Sequence, residues 1–185
     1  MSPKFDRELF VEDCTRAAQE VESQQAVREI LARAVANCGS VLSDLGEPTR
    51  AGLDVLHRSM NLTILTAHWT PHMNLFPHDH QMWALIGIYT GREDNILWRR
   101  EADRITAFSA QVLFAGDVGE LPVDAIHSVT NPLPRFTGGI HIYGGDFFAA
   151  HRHQWNPETL EESPSDGETI RAIFERENDL LGTAS

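Results

Sequence analysis

Cysteine is scarce in this chain: two residues among 185, Cys14 and Cys38, and no C-x-x-C pair. That count rules out a disulfide scaffold and fits a reducing compartment. Basic residues are also few, 15 Lys and Arg against 27 Asp and Glu, for a net charge of -12. Nucleic acids and anionic membrane surfaces need a cationic face, so neither is expected as a partner, and Arg99 and Arg100 make only a short basic spot. No uninterrupted apolar stretch approaches the roughly 20 residues that span a bilayer. The opening Met-Ser-Pro-Lys-Phe-Asp-Arg-Glu lacks the apolar run of a signal peptide. The expectation is a soluble, cytoplasmic protein. Internal repeats, low-complexity tracts, phosphate-binding glycine loops and nucleophile elbows are missing too.

What is present is enough apolar material, 42% of the residues, for one well-buried core. Residues 5–45 read as helical, most clearly where Val27, Ile30, Leu31, Ala34 and Val35 repeat at helix spacing between charged residues. Two helices are expected there. Turn residues in Gly46-Glu-Pro-Thr-Arg-Ala-Gly52 end the pattern, and from Asn61 short apolar runs alternate with Gly, Pro, Asn and Asp. These runs predict strands near 61–69, 83–90, 93–100, 104–108, 110–115, 126–130 and 137–143. Many short strands with short turns indicate a barrel or sandwich. A last helix is expected around 167–180, where Ile170, Ile173 and Phe174 form an apolar strip.

Within this frame, Pro77-His78-Asp79-His80-Gln81 is the most informative stretch. Two histidines two residues apart on an extended backbone project from one face and can bite a single metal ion. A third, His127, lies in a stretch whose turn residues and apolar flanks suggest a returning strand. Three neutral imidazoles suit Fe, Zn, Cu or Ni and leave coordination positions open. Gln81 is placed to support the site from behind. In Gly138-Gly139-Ile140-His141-Ile142-Tyr143-Gly144, strand alternation sends His141 and Tyr143 to one face and the two isoleucines to the other.

The two histidine stretches resemble the paired signature of the cupin superfamily and, within it, the thiol dioxygenases that include cysteine dioxygenase. Against Gly-x5-His-x-His-x3-4-Glu-x6-Gly, His78, His80 and Gly91 are in register, while His72 stands for the first glycine and Ala84 for the carboxylate ligand. Against Gly-x5-Pro-x-Gly-x2-His-x3-Asn, Gly116, Pro122, His127 and Asn131 match and Asp124 replaces the inner glycine. The resemblance covers about residues 50–148. It implies a mainly β fold, the cupin double-stranded β-helix or jelly-roll barrel, with N-terminal helices and a C-terminal helix added. The expected organisation is one cupin domain over 1–185: a helical region (1–47), the barrel (about 50–148), and a tail with a helix (149–185).

The same resemblance implies metal ligands His78, His80 and His127 with no fourth ligand from the protein, since Ala84 points at the ion without ligating it. It implies Fe(II) as cofactor, which Zn or Ni could replace in a purified sample. His141 and Tyr143 match the last two members of the family's Ser-x-His-x-Tyr series, with Gly139 in place of serine; Tyr143 becomes an active-site hydrogen-bond donor and His141 its orienting partner. Arg50, in Thr49-Arg50 ahead of Asn61-Leu62, is similar in spacing to the arginine that holds the substrate carboxylate, with Arg58 as the substitute. The animal cysteine–tyrosine crosslink is impossible, because no cysteine follows Cys38. His151-Arg152-His153 is expected at the surface, and His68 and His72 at the mouth of the site or exposed. The implied function is a non-haem iron(II) dioxygenase that oxidises a small thiol to its sulfinic acid with O2. The alternatives are another three-histidine chemistry, such as dicarbonyl cleavage, and a metal- or ligand-binding protein without turnover. Partners are then a small thiol and O2, with a homodimer left open.

Overall fold

The computed structural model describes residues 4–183. Three helices come first: α1 (Arg7–Ala17), α2 (Ser23–Val35) and α3 (Cys38–Leu45). Asp6 caps α1, its carboxylate accepting the Glu8 and Leu9 amides at 3.0 and 3.1 Å, and Asn37 caps α3 through the Ser40 amide. The break at Ala36-Asn37 divides what the periodicity predicts as one helix, so there are three helices rather than two.

Eleven strands follow among the described residues: β1 (Gly52–Arg58), β2 (Thr63–Trp69), β3 (Asn74–Asp79), β4 (Ala84–Thr90), β5 (Arg92–Arg100), β6 (Ile105–Phe114), β7 (Val118–Leu121), β8 (Ile126–Thr130), β9 (Thr137–Tyr143), β10 (His153–Trp155) and β11 (Glu162–Pro164). Helix α4 (Gly167–Thr183) comes last. The two strands expected at 104–108 and 110–115 are one strand. A bulge opposite Leu97 and Trp98 leaves Phe108 outside the ladder, and that break in alternation mimics a turn in the sequence. Strand β1 falls in the predicted connecting segment because none of its residues is fully buried and its apolar pattern is weak.

The strands pair antiparallel into two sheets, β1-β2-β9-β4-β7 and β11-β10-β3-β8-β5-β6. Their inner faces share one core: Ala67, Ile86 and Tyr143 from the first sheet pack with Leu75, Leu113 and Val129 from the second. This is a double-stranded β-helix. The outer face of the five-stranded sheet carries Ile64, Leu85, Ile140 and Ile142 into a second core under α1–α3. Gly87 lets α2 sit close on β4, since a Cβ there would lie 2.7 Å from Leu31. Helix α4 lays Ile170 and Phe174 over the barrel interior. None of the described helices is long and apolar enough to cross a membrane.

Candidate metal centre

Strand β3 is flanked by β8 and β10, and its register sets His78 directly across from His127. A bulge between Leu75 and His78 accommodates Pro77, which donates nothing to the ladder. His80 follows just beyond β3, and Gln81 (φ 58°) then turns the chain toward β4. The three rings cluster inside the barrel, with centroids 4.5 Å (His78–His127), 4.9 Å (His80–His127) and 5.1 Å (His78–His80) apart. One ligand nitrogen from each lies within 4.8 Å of the others. Asp79, between the two, faces away and accepts the His153 amide at 2.7 Å and Gln81 Nε2 at 2.7 Å. Gln81 therefore supports Asp79 rather than a ligand ring.

The hydrogen bonds fix which nitrogens face inward. His78 Nδ1 donates to the Phe76 carbonyl at 3.0 Å, and His127 Nδ1 donates to Asn95 Oδ1 at 2.6 Å. Asn95 is itself oriented, because its Nδ2 donates to the Glu93 carboxylate at 3.0 Å. The Nε2 lone pairs of His78 and His127 are thus left for the centre, where His127 Nε2 lies 3.3 Å from His80 Nε2. Burial holds all three imidazoles neutral. It lowers His78 to about 4, and it lowers His80 and His127 well below the usual histidine value, with the neighbouring histidines adding to the effect. Buried, neutral, convergent imidazoles fit a divalent transition metal; the outer nitrogens of His78 and His127 are committed to hydrogen bonds, while His80 Nδ1 has no partner among the described residues. Ala84, fully buried and paired with Tyr143, offers no fourth ligand.

Glu93 and Asn95 are the residues that sequence reasoning misses. Glu93 is 0% exposed on β5. Its carboxylate accepts Trp69 Nε1 at 2.8 Å and lies 3.2 Å from His141 Nε2, within ion-pair distance but not aligned for a hydrogen bond. Burial works against its charge, while His141, Asn95 and Trp69 outweigh that and hold it ionised. Beyond it, His141 Nδ1 lies 3.4 Å from the Tyr143 hydroxyl, and the Tyr143 ring lies 4.9 Å from His80. Burial raises the Tyr143 pKa, so the hydroxyl keeps its proton. Glu93 thus links the His127 support to the His141–Tyr143 pair. The one signal for it is an ionisable residue at the inward parity of a strand.

The arginines differ from expectation. Arg50 is exposed on the wall of an outer groove and is not brought to the histidines. Arg58 is held outside by Asp146, at 2.9 and 3.1 Å. Arg152, expected at the surface, instead enters the site: the chain turns at Asp146, which accepts the Phe148 and Ala149 amides, and β10 then pairs with β3. The Arg152 guanidinium lies 3.9 Å from the Phe147 ring centroid and lines the same cavity as His78, His127 and Tyr143. Its Nε and Nη1 are buried without a partner among the described residues. His151 is exposed, and His153 is half-buried with Nδ1 2.9 Å from Asp79. His68 lies on the outer groove, bonded to the Tyr89 hydroxyl at 2.7 Å, and His72 is exposed. His72 has φ 61°, which is why a glycine suits that motif position. Asn131 ties loops together, donating to the Thr70 and Arg135 carbonyls at 2.8 Å.

Fold and site together define a double-stranded β-helix with an inward three-histidine cluster able to hold a metal ion. No protein-family model and no curated protein matches the chain. Among solved structures it is similar to an uncharacterized conserved protein with a double-stranded beta-helix domain from Klebsiella pneumoniae subsp. pneumoniae MGH 78578, at 12% identity over 65% of this chain and 88% of that one, TM-score 0.43. A cupin superfamily protein from Desulfitobacterium hafniense DCB-2 is 14% identical over 54% of this chain and 82% of that one, TM-score 0.44. An oxalate decarboxylase variant from Bacillus subtilis is 18% identical over 49% of this chain and 23% of that one, TM-score 0.40.

Proposed function

We propose that this protein is a non-haem iron(II) dioxygenase that converts a small carboxylated thiol to its sulfinic acid. The observation that carries this reading is Arg152: a guanidinium with two unpartnered buried nitrogens, in the cavity that touches His78 and His127. Buried guanidinium nitrogens without a hydrogen-bond partner are costly, and a carboxylate satisfies a guanidinium two bonds at a time. Iron(II), when held by His78, His80 and His127, supplies the electrons that O2 needs and favours the thiolate form of the substrate. The reaction balances as R–SH plus O2 giving R–SO2H, with both oxygens ending on sulfur and no outside reductant.

The chain's own residues position and shield. Arg152 holds the carboxylate. Tyr143 keeps its proton and presents a hydroxyl beside the reacting atoms, His141 orients that hydroxyl, and Glu93 fixes His141. Trp69, Phe147 and Phe174 keep water out. Arg50, at the rim of the outer groove, guides the same anion inward.

Oxygen uptake by the iron-loaded protein tests this with 3-mercaptopropionate, cysteine and cysteamine. Uptake is expected with the two carboxylated thiols, with sulfinic acid as product. Arg152→Ala raises KM for those two by roughly 10- to 100-fold and leaves cysteamine nearly unchanged. Tyr143→Phe lowers kcat for every thiol. Uptake with a dicarbonyl instead of a thiol would mean carbon–carbon cleavage, and uptake with no candidate would mean a metal-holding protein without turnover.

A further inference from the structure

The cavity that touches the histidine cluster measures about 30 Å3. That is a narrow space beside the rings. Outside lies a groove of about 530 Å3, and the two share a wall: Leu53, Phe147, Arg152, Ile170 and Phe174 line both. Ile170 and Phe174 are the parts of that wall that α4 supplies.

Helix α4 is held by one narrow strip. Ile170 and Phe174 are buried, while Glu168, Arg171, Glu175 and Arg176 on the other side are exposed. Phe174 stacks on Trp69 at 5.6 Å with an interplanar angle of 22°. One turn further on, the Asn178 side chain brackets the backbone of Ala51, accepting its N–H at 2.7 Å and donating to its carbonyl at 2.9 Å. At the other end, Asp166 caps the helix through the Glu168 amide and the Thr169 hydroxyl, both at 2.9 Å. An element attached along one strip opens locally far more readily than the sheets beneath it.

We infer that α4 is the specificity wall of the metal cavity: Ile170 and Phe174 set the size of substrate admitted, and the Asn178–Ala51 bracket sets how often the wall moves aside. The identity of the substrate rests on the thiol reading above, but the wall rests on the two volumes and the α4 contacts. An anionic substrate in the groove meets Arg152 on the shared wall first and enters when Ile170 and Phe174 swing out.

The cobalt(II)-loaded protein tests this, because its visible absorption reports the metal's surroundings. EDTA is far too large for the cavity, whereas azide is small. Asn178→Ala loses two hydrogen bonds, so EDTA stripping is expected to speed up roughly 10- to 100-fold while azide affinity stays unchanged. Hydrogen exchange along α4 should rise with it. Phe174→Leu, a milder packing change, should also speed stripping and raise kcat/KM for six-carbon over three-carbon thiol acids. Stripping rates equal in parent and both variants, or α4 exchange unchanged in Asn178→Ala, would overturn the wall. Bracket-dependent stripping without thiol-dependent O2 uptake keeps the wall and overturns the thiol reading; uptake with bracket-independent stripping does the reverse. A parent that takes up no cobalt overturns both.

Discussion

The two faces of the five-stranded sheet come from alternating residues of the same strands yet follow opposite rules. On the helix side, Ile64, Leu85, Tyr89, Ile140 and Ile142 pack with Leu31, Val35 and Val41, all 0% exposed. The Tyr89 hydroxyl on that side is bonded to His68. On the barrel side, β9 presents His141 and Tyr143, and the facing sheet adds His78, Glu93, Asn95 and His127, all buried. Burying ionisable groups costs free energy unless each is paired, whereas burying apolar side chains yields about 25 cal/mol per Å2. The helix-covered face thus supplies stability that offsets the cost of the buried polar cluster on the inner face. One strand can serve both because its side chains alternate.

The largest expected effect separates the faces directly. Leu31→Ala opens a hole under α2 and should cost about 2–5 kcal/mol, with about one metal per folded chain retained. His127→Ala should do the opposite, abolishing metal binding while costing about 1–3 kcal/mol, since Asn95 loses its partner. Chemical denaturation paired with elemental analysis reads both. Full metal in His127→Ala, or lost metal in a folded Leu31→Ala, would erase the distinction.

Acid sharpens the contrast. Burial keeps His78 neutral in the folded chain down to about 4, while the unfolded residue protonates near 6.5. Between those values the unfolded chain binds more protons, so this contribution to stability is complete above pH 6.5 and is lost as pH falls through 4. His80 and His127 shift the same way. The metal-free protein should lose on the order of 3 kcal/mol through His78 alone between pH 7 and 4. In Leu31→Ala the whole curve should drop without changing slope. A flat profile from pH 7 to 4 would contradict the buried, neutral inner face.

A smaller effect probes the support within that face. Glu93→Gln turns one of two acceptors into an amide donor: with the amide nitrogen toward Trp69 the indole loses its partner, and with it toward Asn95 Nδ2 that side chain, and then His127, loses orientation. Metal affinity should fall roughly 10- to 100-fold with the fold intact. Competition titration with a chromophoric chelator measures it, and unchanged affinity would make Glu93 a packing residue only.

What the sequence discloses follows from locality. His78 and His80 share one strand end, and His127 sits in a turn-bounded run, so spacing suffices to nominate them. Strands β4, β5, β8 and β9 announce themselves by apolar runs. Glu93 is invisible as a site residue because its importance comes from Trp69, Asn95 and His141, the first and last on other strands. Arg152 looks like surface in a polar tract until β10 pairs with β3 and carries it inward. Arg50 shows the converse: a matching spacing nominates it, and the chain leaves it at the groove rim.

The position of β3 between β8 and β10 also governs when the cluster can assemble. His80 and His127 are 47 positions apart, and β10 joins β3 only at Gln154, across from His78. During synthesis, the first two imidazoles therefore wait for the third, and the strand that covers them arrives later still. Such long-range closure is entropically slow. The nascent chain cannot capture a metal at a finished site until β10 has been made, which leaves ion selection to an assembled barrel rather than to the flexible peptide.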